Sequence, residues 1–305
     1  MRQPLSQIAA PRGALSRLRL SVAATALAAA LSGCSGAATS SQTSIMDTGR
    51  ISTRTIDPSY AVAAEDRKPT EQGAGAKVTD DHLRKAAELA IKSGQHHGAV
   101  AHLSKLADKY PQDRSVAYNL ARHLRYLGKL PAAEKTLNDA LATNPHDQLL
   151  RLEMAKLKIA DGEARSAIAI LEKLRAELPK DPAVLQALGV SYDRTKRHTD
   201  AQAVYAEAMQ LGRPSAALLN NDGLSRMMSG DLDGAIQQLR RASSAPGSTP
   251  QVRQNLALAL SLKGDSKEAR RVAVESLPQD KAEKALSVYG DIAKSQDAWS
   301  LAKGR

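Results

Sequence analysis

Three histidines close in sequence, His96, His97 and His102, are the first residues whose type and spacing could do chemistry, since grouped imidazoles hold transition metals. No cysteine or paired carboxylate stands with them to complete a site. They read as solvated imidazoles flanking an interhelical turn. Asp231, Asp233 and Gly234 start as a calcium loop starts, but the later oxygen ligands and the closing Glu are missing, so this stretch also reads as a turn. No HExxH, GxSxG, GxxxxGK or GxGxxG segment occurs, and no spacing singles out a catalytic carboxylate pair. The expectation is a protein that is not an enzyme and needs neither metal nor soluble cofactor.

The chemistry being sparse, the elements carry the information. The chain has 305 residues, 42% hydrophobic and 3% aromatic, with no Phe, one Trp and one Cys. A core for that length must be built mainly of Ala, Leu, Val and Ile, which suits closely stacked helices and argues against sandwiches packed on rings. One cysteine excludes an internal disulfide and any zinc site needing two thiolates.

Arg2, Arg12, Arg17 and Arg19 form a basic start with no acid, followed by an apolar run from Leu20 to Leu31. At about 12 residues the run is too short to span a bilayer, which takes roughly 20, and it fits the apolar region of a signal peptide. It ends in Leu31-Ser32-Gly33-Cys34, which resembles the bacterial lipobox. That resemblance implies removal of residues 1–33 and a covalent lipid on Cys34, which makes this cysteine an anchor and not a nucleophile. Ser35 stands where inner-membrane lipoproteins often carry Asp, so the resemblance implies the periplasmic face of the outer membrane. Cleavage takes away four Arg, leaving 39 basic against 32 acidic side chains. This modest excess favours acidic partners or anionic lipid, and export removes nucleic acid from the candidates. The stretch 34–79 is rich in Ser, Thr, Ala, Gly and Gln, with Pro58, Pro69 and no apolar period; it reads as a tether. As a flexible chain it reaches roughly 35–40 Å.

From residue 80 the chain repeats itself every 34 positions. Ala99, Ala133, Ala167, Ala201, Ala235 and Ala269 are in phase, and five residues before them stand Gly94, Gly128, Gly162, Lys196, Gly230 and Gly264. Pro111, Pro145 and Pro179 keep the step where a second helix should end, with Pro214 one residue late. Each unit is helix, turn, helix, turn. These positions resemble the tetratricopeptide repeat, most clearly in the fourth unit with Leu185, Leu188, Gly189, Tyr192, Ala201, Tyr205 and Ala208. Small residues at Gly189 and Ala201 let two helices approach while Leu and Tyr fill the spaces between units. The third unit departs at Arg151 and Lys158, implying a wetter or shifted layer; in the fifth, Asp222 and Arg226 fall on core positions and could pair across one turn. The resemblance implies an all-α fold, a right-handed α-solenoid of six repeats over 80–281. A capping helix over 282–305 follows, starting at about Lys281 and carrying Leu286, Tyr289, Ile292, Trp299 and Leu301.

In such repeats the first helices line a concave groove. Transferring that register gives Tyr118, Asn119, Arg122, Arg125 and Tyr126 from the second unit, Lys156 from the third and Arg194 from the fourth. Asn221, Met227 and Met228 come from the fifth and Asn255 from the sixth. Asn can pair with an extended backbone, Arg with carboxylates, Tyr and Met with apolar side chains. The stretch Leu218 to Leu260, with Pro246, Gly247, Thr249, Pro250, Val252, Arg253, Gln254 and Asn255, resembles the TadD lipoprotein family of tight-adherence (Flp) pilus assembly. That resemblance implies a pilotin-like adaptor for the outer-membrane secretin or another pilus-machine protein. The alternatives are a periplasmic scaffold recruiting peptidoglycan hydrolases or proteases, and a lipid-anchored hydrolase with its site in the fifth repeat.

Overall fold

The computed structural model describes residues 80–295, so Cys34, the signal peptide, the tether, Trp299 and Leu301 lie outside the described residues. Thirteen helices and no strand occur among the described residues, the all-α architecture of an α-solenoid. They fall into two compact units, 80–213 and 214–295.

The first unit holds four helix pairs: α1 (Asp80–Lys92) with α2 (His96–Lys109), α3 (Arg114–Tyr126) with α4 (Leu130–Thr143), α5 (Gln148–Ala160) with α6 (Ala164–Glu177), and α7 (Pro182–Arg194) with α8 (His198–Gln210). The second holds α9 (Ala216–Ser229) with α10 (Leu232–Ser244), α11 (Pro250–Lys263) with α12 (Ser266–Val274), and a final α13 (Gln279–Lys294).

Local chemistry at the 34-residue step sets these boundaries. Asp113, Asp147, Asp181 and Ser215 each precede a first helix, and their side chains accept from backbone N–H groups of the opening turn. The turns between paired helices pass through left-handed backbone at the in-phase glycines, from φ 69° at Gly94 to 96° at Gly264. Lys196 adopts the same conformation, with φ 63°. All six in-phase alanines are fully buried. Gly189 faces the Tyr205 ring so closely that any Cβ would overlap it, and a Cβ on Gly223 would meet Leu239 at 2.7 Å. These are the close approaches the small residues permit.

Three sequence expectations take a definite form. Arg151 and Lys158 lie at a wet edge, where Arg151 pairs with Glu177 at 2.7 Å and Lys158 with Glu134 and Glu163 at 2.7 and 3.0 Å. Leu150 and Leu157 of the same helix stay in the core. Asp222, fully buried, accepts from Arg226 Nε at 2.9 Å across one helical turn. The last helix begins two residues before Lys281, because Pro278 stops the preceding turn and serves as its N-cap position. Ala282, Tyr289 and Ile292 are buried, and Tyr289 belongs to the apolar cluster containing Leu256, Leu260 and Val272.

Candidate functional site

In the unit 80–213, five of the expected groove residues gather on α3 and α5. Tyr118, Arg122 and Tyr126 lie one helical turn apart along α3, and Arg122 donates from Nε to Tyr126 Oη at 3.3 Å and from Nη1 to Tyr118 Oη at 3.4 Å. Its guanidinium also stands over both rings, 5.8 and 5.7 Å from their centroids. Arg125 covers Tyr126 at 4.7 Å and donates from Nε to Glu153 Oε1 on α5 at 2.8 Å. Lys156 comes from α5, one turn beyond Glu153.

Electrostatics separates these cations into two kinds. Glu153 is 1% exposed, so it and the largely buried Arg125 are a structural ion pair. Burial works against the Arg125 charge, but the Glu153 carboxylate outweighs it and raises the pKa. Arg122 and Lys156 have no carboxylate within ion-pair distance among the described residues. Burial pulls the Lys156 ammonium below its ordinary pKa; Glu153 opposes this, while Arg125 and Arg122 add to it. Half-buried Arg122 lies against two phenols, and its charge repels that of half-buried Lys156. Such a place gains from an incoming anion.

Other expected residues serve elsewhere. Asn119 donates to its own helix at Ser115 O, 2.9 Å away, and Arg194 stands half-buried at the end of α7. In the unit 214–295, Met227 belongs to the apolar core with Leu224 and Leu256, so it is a packing residue and not a groove contact. Asn255 is 1% exposed: its Nδ2 donates to Asn220 Oδ1 at 2.8 Å and its Oδ1 accepts from Gln251 at 3.2 Å. This amide spans α9 and α11 and is not offered to a ligand. Asn221, next to Asn220 in sequence, is buried, and Met228 is half-buried.

The histidine reading changes as well. His97 is exposed as expected, but His96 is not simply solvated: its Nδ1 lies 2.9 Å from His123 Nδ1, and its ring rests on Tyr126 with centroids 4.9 Å apart. No group of three or more metal-ligating side chains forms among the described residues. Asp231 caps α10 by accepting from Gly234 N at 2.9 Å, a turn and not a cation loop.

Residues 90–157 and 127–190 match the family model described as tetratricopeptide repeat. Residues 90–190 carry tetratricopeptide repeats. Among curated proteins, a stretch of 112 residues is 28% identical to BBSome complex member BBS4 of Mus musculus, covering 37% of this chain and 21% of that protein. Over 222 residues the chain is 25% identical to cellulose synthase 1 operon protein C of Komagataeibacter xylinus, covering 71% of this chain and 14% of the other. This chain therefore corresponds to a minor part of either relative's length. Among solved structures, a thermophilic tetratricopeptide protein of Thermus thermophilus superposes with a TM-score of 0.54 at 18% identity, over 60% of this chain and 99% of that one. That likeness shows the fold.

The tetratricopeptide register also locates what the sequence reading passed over. Glu153 occupies the same repeat position as Asn119, Asn221 and Asn255, and Lys156 the same position as Arg122. A glutamate at a register position filled by Asn in three other repeats was the available signal. His123 gave none, because its partner lies 27 residues away in the preceding unit.

Proposed function

We propose that this tetratricopeptide protein is a non-catalytic, lipid-anchored adaptor of the outer membrane that captures an acidic protein segment during Flp pilus assembly. The observation that carries the capture step is that Arg122, held by the phenols of Tyr118 and Tyr126, and the mutually repelling Lys156 are cations lacking a carboxylate partner. On a surface where most neighbouring cations are already neutralised, a partner's carboxylate supplies the missing charge. Cys34 supplies the address, and the TadD-like stretch from Leu218 to Leu260 supports the secretin or a neighbouring pilus component as partner. No helix among the described residues is long and apolar enough to cross a membrane.

The test is the amount and membrane location of secretin multimers in cells with the protein, without it, and with Cys34→Ala. Multimers lost or held at the inner membrane without the lipidated form support the adaptor; multimers unaffected in all three strains reject the secretin as its client. The likeness to cellulose synthase 1 operon protein C favours a second reading, a scaffold for an enzyme assembly. Co-purification with peptidoglycan hydrolases or proteases in place of secretin would support that one.

A further inference from the structure

Position 96 opens α2 and position 123 lies in the last turn of α3. One repeat further on, the same two positions are Leu130 and Leu157; Leu157 lies in the apolar core of the unit and the partly buried Leu130 packs against that core. At the first junction two histidines replace this leucine pair, with Nδ1 atoms 2.9 Å apart and ring centroids 5.1 Å apart. At that separation a single hydrogen must lie between the two nitrogens, so the contact tolerates one Nδ1 proton and not two. The His123 ring is 3% exposed, and its Nε2 has no hydrogen-bond partner among the described residues.

The groups facing His123 all disfavour its charge or are already committed. From α2 comes His96; from α3 itself come Arg122, Arg125 and Tyr126; and the nearby carboxylate on α5, Glu153, is held by Arg125. Burial first, then His96, Arg122 and Arg125, push the His123 pKa down to about 4.

We propose that the His96–His123 pair is an acid-labile latch that fastens the first repeat, α1 and α2, onto the second. When the junction opens, His123 regains water and its ordinary pKa of about 6.5. The open form then binds a proton that the closed form refuses, so closure is strongest near neutrality. It weakens as pH falls below about 6.5, until about 4, where the closed form is protonated as well. Between about pH 7.5 and about pH 5, one such group shifts the opening equilibrium roughly 30-fold. Tyr126 rests on both imidazoles and also walls the cationic face, so opening would disturb that face. This last consequence rests on the proposed binding role; the latch does not.

Hydrogen exchange of the full chain at both pH values tests it, with amides of α1 and α2 read against those of α7 and α8 in the same molecule, which cancels the chemical pH dependence. The ratio of exchange rates should rise roughly 30-fold on acidification. The double variant His96→Leu with His123→Leu, which borrows the leucine pair of the next junction, should show no such rise. An unchanged ratio in the wild type, or the same rise in the variant, overturns the latch. If the variant does not fold, the His123 ring protons followed by NMR through a pH titration decide: an inflection near 4 supports the latch, and one near 6.5 overturns it.

Discussion

At the scale of single residues, Lys196 and the two arginines of α3 show how one position can be read from its repeats. Lys196 holds the left-handed turn that glycine holds at the five equivalent positions, so a side chain is strained there. Lys196→Gly should therefore stabilise the protein by about 0.5–1 kcal/mol, seen as a higher urea midpoint. Arg122 and Arg125 look interchangeable in sequence but are not. Arg125→Glu would set a second carboxylate against the buried Glu153 and should cost about 3–5 kcal/mol in urea unfolding. Arg122→Glu removes contacts to two half-exposed phenols and should cost under about 1 kcal/mol while weakening partner capture. Equal destabilisation by the two would contradict the division of these cations into structural and available.

At the scale of elements, the repeat is bounded by polar caps more than by helix propensity. Asp181 accepts from Ala183 N and Val184 N at 2.7 and 3.0 Å, whereas Thr249, at the corresponding place before α11, makes no side-chain cap bond. Asp181→Ala should cost about 1 kcal/mol, and Thr249→Ala within about 0.5 kcal/mol, by thermal or urea unfolding. The fifth unit carries its irregularity the same way: Asp222 is accommodated because Arg226 reaches back one turn to it and onward to Asp231 at 3.0 Å.

At the scale of the whole molecule, the proposed anchor and the proposed capture face are separable. If the proposed lipid sits on Cys34, Cys34→Ala should move the protein from membrane to soluble fractions without altering its circular dichroism, since Cys34 lies far in sequence from the helices. Capture by the Arg122–Lys156 face should weaken as salt rises, because charge attraction across a half-exposed face is screened. Retention of the Cys34→Ala protein at the outer membrane would remove the lipid from the proposal and leave the face untouched.

The 34-residue period by itself determined the helix pairs, the alanine contacts and the glycine turns, because each depends on local backbone geometry and on steric room that residue types specify directly. The tetratricopeptide register in turn grouped Tyr118, Arg122, Tyr126 and Lys156 as candidates, since register decides which side of a first helix escapes packing. What it could not separate was an exposed polar residue from a buried one that is satisfied across units. Asn255 finds Asn220 35 residues away, Arg125 finds Glu153, and His123 finds His96. Met227 follows the same logic in reverse, turning into the core among leucines of neighbouring helices. Those outcomes rest on contacts between helices from different repeats, and only the tertiary structure brings the partners within hydrogen-bonding or packing distance.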